Sequence, residues 1–295
     1  MSLGVLNNIA AVYAENNLNS TQASLQNTLE QLSSGSRINS GADDAAGLSI
    51  ADGLGAASAA LTQSADNATQ GVGLLQVADG ALSQVTNLLN RGITLATEAS
   101  NGTLSASQDA AANQEYQSIL AEINNIGTTT TFNGNSVFSG NAVTVYSGDA
   151  TTTGGATDAL TIADLTSASV GDVGGVIAST GTAISYTPGT GEDLSADVLT
   201  SATAAQTALT DTNTAITDVA AQRGYVGSQI NTLNAISNVD STEQENVLSA
   251  QNSIQATDYG QATSDLSKYE ILSQTGISAL AQANSVEQEV TKLLQ

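Results

Sequence analysis

Apolar residues recur along this chain at spacings set by helix geometry. Near the C-terminus an alternation of three and four residues picks out Tyr269, Leu272, Gly276, Ala279, Ala283, Val286, Val290 and Leu293. Each is apolar or glycine, which predicts the seam of a left-handed coiled coil roughly 37 Å long. Upstream, a seven-residue spacing runs through Leu61, Ala68, Leu75, Leu82, Leu89 and Ala96. A second row, one residue earlier, runs through Leu74, Ala81, Leu88 and Leu95. Two rows about 100° apart make a stripe too wide for one partner helix. A third segment, Leu209, Ile216, Val219, Val226, Ile230 and Leu233, follows the three-four rule with Thr212 and Arg223 as interruptions. The 61–96 segment alone would extend about 54 Å if straight. The expected fold is therefore mainly α, a coiled-coil helical rod.

The middle of the chain breaks this pattern. Residues 140–191 hold ten of the 27 glycines and the single proline, Pro188. Between the glycines lie short β-prone runs at 142–146, 159–162 and 183–186. Gly-rich punctuation around such runs reads as strands and turns, so a small β-hairpin insert is expected between two helix-rich arms.

Composition narrows the chemistry. The 295 residues include no Cys and no His, which removes disulfides, thiolate zinc sites, Cys nucleophiles and His-containing triads. Only Arg37, Arg91, Arg223, Lys268 and Lys292 are basic, against 28 acids, for a net charge of −23. Neutralising nucleic-acid phosphates or anionic lipid is not open to such a chain. No apolar run reaches the length of a membrane span, and the first residues have no basic, unbroken apolar leader. Adjacent Asp43-Asp44 point apart on a helix and have no third ligand nearby in sequence, so a helix cap, from Ser40 or Asp43, is expected there. Gly35 is expected to end the first helix with positive φ. Arg37 is expected to pair with Asp43, Asp44 or an acid of a neighbouring subunit. No cofactor and no metal site are expected.

One set of residues is more specific. Asn16-Asn17-Leu18-Asn19 leads through Leu25, Leu29 and Leu32 to Ser33-Ser34-Gly35-Ser36-Arg37-Ile38-Asn39, then Asp43-Asp44-Ala45-Ala46-Gly47. At the far end stand Thr257-Asp258-Tyr259, Gln274, Gly276, Leu280-Ala281-Gln282-Ala283-Asn284 and Leu293-Leu294. Gln114-Glu115, Thr131-Phe132-Asn133-Gly134 and Arg223-Gly224-Tyr225-Val226-Gly227 lie between. Together they resemble bacterial flagellin over about 1–140 and 200–295. The resemblance implies a short form without large outer domains. It implies an antiparallel coiled-coil helical rod, with the N- and C-terminal helices side by side and a small β-hairpin insert joining the two arms. Residues 1–42 and 256–295 would form an inner-tube helical domain, and 43–140 with the return helix 201–255 a rod domain. Residues 141–200 would form a short variable β-containing insert.

The resemblance also implies a function: a non-catalytic subunit that self-assembles into the flagellar filament for motility. Export would run through the flagellar type III secretion channel, leaving the chain secreted, in the extracellular filament. Implied partners are further copies of the chain, flagellar hook-associated and cap proteins and a type III export chaperone, with no nucleic acid and no membrane. The filament-assembly seam would comprise Leu18, Leu25, Leu32 and Arg37 with Tyr269, Leu272, Gly276, Ala279, Ala283, Val286, Val290 and Leu293. Arg91, Leu95 and Glu115 match a stretch recognised by the innate immune receptor TLR5, although Ile93 and Thr94 depart from it. Hook-filament junction proteins share the N-terminal pattern and are the alternative, but they read Asp-Asp-Pro where this chain has Asp43-Asp44-Ala45.

Overall fold

The computed structural model describes residues 8–148, 157–172, 176–180 and 183–293. Among the described residues five helices carry most of the chain: α1 (Ile9–Ser34), α2 (Ala45–Ser100), α3 (Ala106–Thr129), α4 (Ala202–Gln255) and α5 (Tyr259–Leu293). A two-residue hairpin, β1 (Thr131–Phe132) and β2 (Asn135–Ser136), follows α3. The insert contributes β3 (Ala142–Tyr146), β4 (Thr157–Thr161), β5 (Val176–Thr180) and β6 (Ala183–Thr187). Two compact units result. The first joins Met1–Ala56 with Val247–Gln295, and the second is Ala57–Asn246.

In the second unit the sequence rows become core. Leu61, Ala68, Leu75, Leu82, Leu89 and Ala96 are all buried, as are Leu74 and Leu95 of the adjacent row. The stripe on α2 is wide because it faces several partners. Gly71 sits beneath Leu233 of α4 and under Val145 and Leu160 of the sheet, while Gly92 faces Tyr116 of α3 and Thr212 of α4. From α4 come Ala208, Ala215, Val219, Val226 and Leu233, and from α3 Tyr116, Ile119, Leu120 and Ile123. Along α2 and α4 the pairing is antiparallel: Asp79 meets Arg223, and Ser64 meets Asp240.

Both interruptions of the α4 stripe have a local explanation. Thr212 is fully buried, but its hydroxyl donates to the Ala208 carbonyl one turn back. Arg223 sits at the edge of the core and forks onto Asp79, at 2.8 Å from Nε and 3.3 Å from Nη2. Gly92, a weak helix former by propensity, leaves room for the Tyr116 ring, whose Cε2 would lie 3.3 Å from an added Cβ.

The insert is a four-stranded sheet in the order β3-β4-β6-β5. β3 pairs antiparallel with β4, β4 parallel with β6, and β6 antiparallel with β5. Three of its strands fall on the runs read from sequence; β5 lay hidden among glycines. The hairpin ahead of it turns on Asn133 and Gly134, both with positive φ, which fits a type I′ turn. Close backbone approach fixes the insert to the helices. An added Cβ at Gly127 of α3 would lie 1.8 Å from the Leu165 carbonyl oxygen. Gly171, at φ +83, faces the backbone of Asp218 and Val219 at 2.5 and 2.4 Å from an added Cβ.

Glycines in the long helices therefore divide into two kinds. Gly127→Ala should destabilise the second unit by about 1–3 kcal/mol or more, because the Leu165 backbone must move. Gly224→Ala, where nothing lies within 4 Å, should stabilise α4 by up to about 1 kcal/mol. Urea denaturation of the two variants beside the parent chain checks both signs.

Candidate functional site

The first unit is built on a pair of helices. Asn8 caps α1, its side chain accepting from the Ala11 N–H at 3.0 Å, and the same amide donates to the Ala283 carbonyl of α5. Leu18 packs on Gly276, whose added Cβ would lie 3.2 Å from Leu18 Cδ1. Thr257 binds near the end of α1, its N–H donating to the Gly35 carbonyl at 3.1 Å. Partners fall in number along α5 as they rise along α1, so the pair is antiparallel.

The inward face of each helix follows the three-four rule. On α1 it runs Ala11, Ala14, Leu18, Thr21, Leu25, Thr28 and Leu32, and on α5 Ala262, Leu266, Tyr269, Ser273, Gly276, Leu280 and Ala283, all half-buried or buried. Of the residues expected to form the seam, Leu18, Leu25, Leu32, Tyr269, Gly276 and Ala283 lie on this contact. Leu272, Ala279 and Val286 do not; they are exposed on an adjacent row. The Val290 and Leu293 side chains lie outside the described residues.

Two seams on α5 share every second position, and a search for apolar residues follows the one without Ser273. The signal missed is that hydroxyls can be satisfied inside a helix. Thr28, the most buried residue of α1, donates its hydroxyl to the Ser24 carbonyl at 2.9 Å. Counting Ser and Thr as permitted seam residues would have found the inward row.

What remains outside is unusually apolar. Ile9 is 63 %, Tyr13 67 % and Ile271 65 % exposed, with Val12, Leu29, Tyr259, Leu272, Ile277 and Val286 also open to solvent. Each helix of the pair thus carries one apolar face against its partner and further apolar side chains directed away from it.

The turn after α1 is tightly specified. Gly35 takes φ +73 and its N–H donates to the Gln31 carbonyl, with the Tyr259 hydroxyl 2.9 Å from where a Cβ would stand. Among the described residues Arg37 does not make the expected pair with Asp43 or Asp44. Its Nη2 donates to the Ile254 carbonyl at 2.7 Å, neutralising an acceptor at the C-terminal end of α4. The carboxylates are otherwise engaged. Asp43 accepts from the Ser40 and Asn39 N–H groups, bonds that hold its carboxyl below the usual range. Asp44, rather than Ser40 or Asp43, caps α2 by accepting from the Gly47 N–H at 2.9 Å.

In the second unit Arg91 and Glu115 form an exposed ion pair, Nε to Oε1 at 2.7 Å. The hydrogen bond from Arg91 holds the Glu115 carboxyl below its ordinary value. Leu95, one turn on from Arg91, is 3 % exposed and belongs to the core. The structure thus brings Arg91 and Glu115 together at the surface and leaves Leu95 beneath it.

Residues 5–143 match the family profile of the bacterial flagellin N-terminal helical region, and residues 209–294 that of the C-terminal helical region. The chain is 32 % identical over 289 residues to a flagellin of Halalkalibacterium halodurans, covering 98 % of each chain. It is 31 % identical over 296 residues to a flagellin of Listeria monocytogenes, covering 97 % of this chain and 98 % of that one. Among solved structures, Bacillus cereus flagellin is 28 % identical with a TM-score of 0.45, over 59 % of this chain and 88 % of that chain. Full-length likeness to flagellins also disfavours the hook-filament junction alternative. With both terminal regions matched and relatives aligned almost end to end, the chain belongs to the bacterial flagellin family and is a structural subunit of the flagellar filament.

Proposed function

We propose that the outward apolar rows of α1 and α5 are the surfaces through which copies of this chain pack in the filament. The observation that carries this reading is the exposure of Ile9, Tyr13, Ile271, Leu272, Ile277 and Val286 beside a complete intramolecular seam. Burying a Leu or Ile side chain contributes about 1.5–3 kcal/mol. A row of such positions repeated on every subunit therefore supplies a driving force for polymerisation that the monomer does not use. The inner-tube segments 1–42 and 256–295 both fall within the first unit, whose terminal helices would gain further order from neighbouring copies. The second unit would serve as the rod, with the 141–200 insert on it.

The wider reading follows from the family. The chain would leave the cell through the flagellar type III secretion channel, with an export chaperone covering the α5 rows beforehand. In the filament it would meet hook-associated proteins at one end and cap proteins at the other. Its role is structural, with no catalysis and no cofactor. The exposed Arg91–Glu115 pair would be the part of the family's TLR5-recognised stretch available for contact, with Leu95 supporting it from below.

Three outcomes are expected. The double substitution Ile271→Gln with Leu272→Gln should leave the circular dichroism spectrum of the unpolymerised chain unchanged and abolish filaments in negative-stain electron microscopy. Filaments as abundant as those of the parent chain would overturn the assignment of these rows. Polymerisation should also be slow at low ionic strength and quicken with salt, since copies carrying −23 each repel one another over about 10 Å at 0.1 M and about 3 Å at 1 M. Light scattering during assembly at the two salt concentrations measures this. Arg91→Ala should weaken the signal in TLR5 reporter cells if the pair is a receptor contact, and an unchanged dose-response would remove it.

A further inference from the structure

Two buried acids come together where the insert meets α4. Asp172 is fully buried and Asp218 is 6 % exposed. Their backbones are joined, the Asp172 N–H donating to the Asp218 carbonyl at 3.2 Å. Gly171 permits the approach, since an added Cβ there would lie 2.7 Å from Asp218 Cβ. The Asp172 charge acts on the Asp218 carboxyl, and Glu192 in turn feels the charge of Asp218.

The oxygens beside this pair are short of donors. Asp218 Oδ2 is buried with no hydrogen-bond partner among the described residues. So is Gln222 Oε1, one turn further along α4, on a residue only 1 % exposed. Gln222 Nε2 donates to the Ala163 carbonyl of the insert at 3.4 Å, which sets the amide orientation and leaves Oε1 over. Asp172 Oδ1 accepts from the Gly189 N–H at 2.7 Å. No basic side chain of the insert can help, because residues 141–200 hold no Lys or Arg. Arg223, next to Gln222, forks onto Asp79. Burying an ionised carboxylate without a partner is costly, so the pair needs either a proton or a cation.

We propose that Asp218 Oδ2, Gln222 Oε1 and the Asp172 carboxyl bind a calcium ion that clamps the insert onto α4, with water completing its shell. Residues four apart share one helix face with Cβ atoms about 5–6 Å apart, the spacing at which two side chains of a helix hold one ion. Calcium takes carboxylate and amide oxygens together, in flexible geometry, at about 2.3–2.6 Å. Magnesium demands a near-ideal octahedron and keeps more of its own waters, so this set suits it less. Two carboxylates balance the charge of a divalent ion. With so few charged ligands the expected Kd is about 10⁻⁴–10⁻³ M, the range of extracellular calcium modules. The clamp lies inside one copy of the second unit and is independent of the α1 and α5 rows.

The test is isothermal titration of calcium chloride into the full-length, unpolymerised chain at pH 7, beside sodium chloride at matched ionic strength. One calcium should bind per chain, raise the melting temperature and slow amide exchange at Asp172 and Glu192. Asp218→Asn keeps the side-chain size and should weaken binding by at least about tenfold. Gln222→Met, which removes only the amide oxygen at similar volume, should weaken it severalfold and serves if the first variant fails to fold. No calcium binding by the parent chain would mean that a proton neutralises the pair, and would overturn the proposal. So would equal effects of sodium chloride, which would reduce the response to screening of the net charge. Undiminished binding in both variants would place the ion elsewhere.

Discussion

Two paired helices can cover only one narrow face of each other, and α1 and α5 carry apolar side chains over more than one face. Everything proposed about assembly depends on that mismatch. The seam inside the chain is modest in composition, with Gly276, Ala283, Thr21, Thr28 and Ser273 among its members. Small residues bring the backbones close, as Leu18 over Gly276 shows. They also limit the apolar area buried per turn, so the larger residues Ile9, Tyr13, Ile271 and Ile277 remain on the outside. A polymer of identical chains is the arrangement in which such residues find cover without adding a second kind of protein.

The second unit solves its own packing differently. Its α2 stripe is wide because three layers meet it: α4, α3 and the insert sheet. With few aromatic fillers available, the core relies on Leu, Ile, Val and Ala from the helices and on glycines that let backbones touch. Gly71, Gly92, Gly127 and Gly171 each stand where another element comes within van der Waals contact or closer of an added Cβ. The insert is thus a part of this unit's core, contributing Val145, Leu160 and Leu165 to the cluster that α2 and α4 share.

Charge follows the same division between surface and interior. Most of the acids among the described residues are solvated, yet Asp158, Asp172, Asp197, Asp218 and Asp240 are buried. Burial raises the Asp158, Asp197 and Asp218 carboxyls, favouring the neutral acid. Asp240 is satisfied instead by the Ser64 hydroxyl, which in turn accepts from the Gly148 N–H and so connects the insert to the helix pair. In a chain with so few cations, hydroxyls, backbone N–H groups and protons do the neutralising that lysine and arginine usually perform.

The sequence by itself determined the long helices and the position of the insert, while their antiparallel order came only with the likeness to the family. Seven-residue spacing of Leu61 through Ala96 fits one face of a helix, and Gly35 marks a helix end by its backbone freedom. Tertiary structure alone decided which of two overlapping rows on α5 faces α1, because both satisfy the same period and only contact chooses between them. It decided that Arg37 binds a helix carbonyl and that Asp44 is the cap, since adjacent acids are indistinguishable until a particular N–H comes within reach. It also placed Leu95 in the core while Arg91 and Glu115 reached the surface, and it gathered Asp197, Tyr116 and Thr212 from three distant segments. Local periodicity is written in residue spacing, but partner choice is set by distances across the fold, which no spacing along the chain encodes.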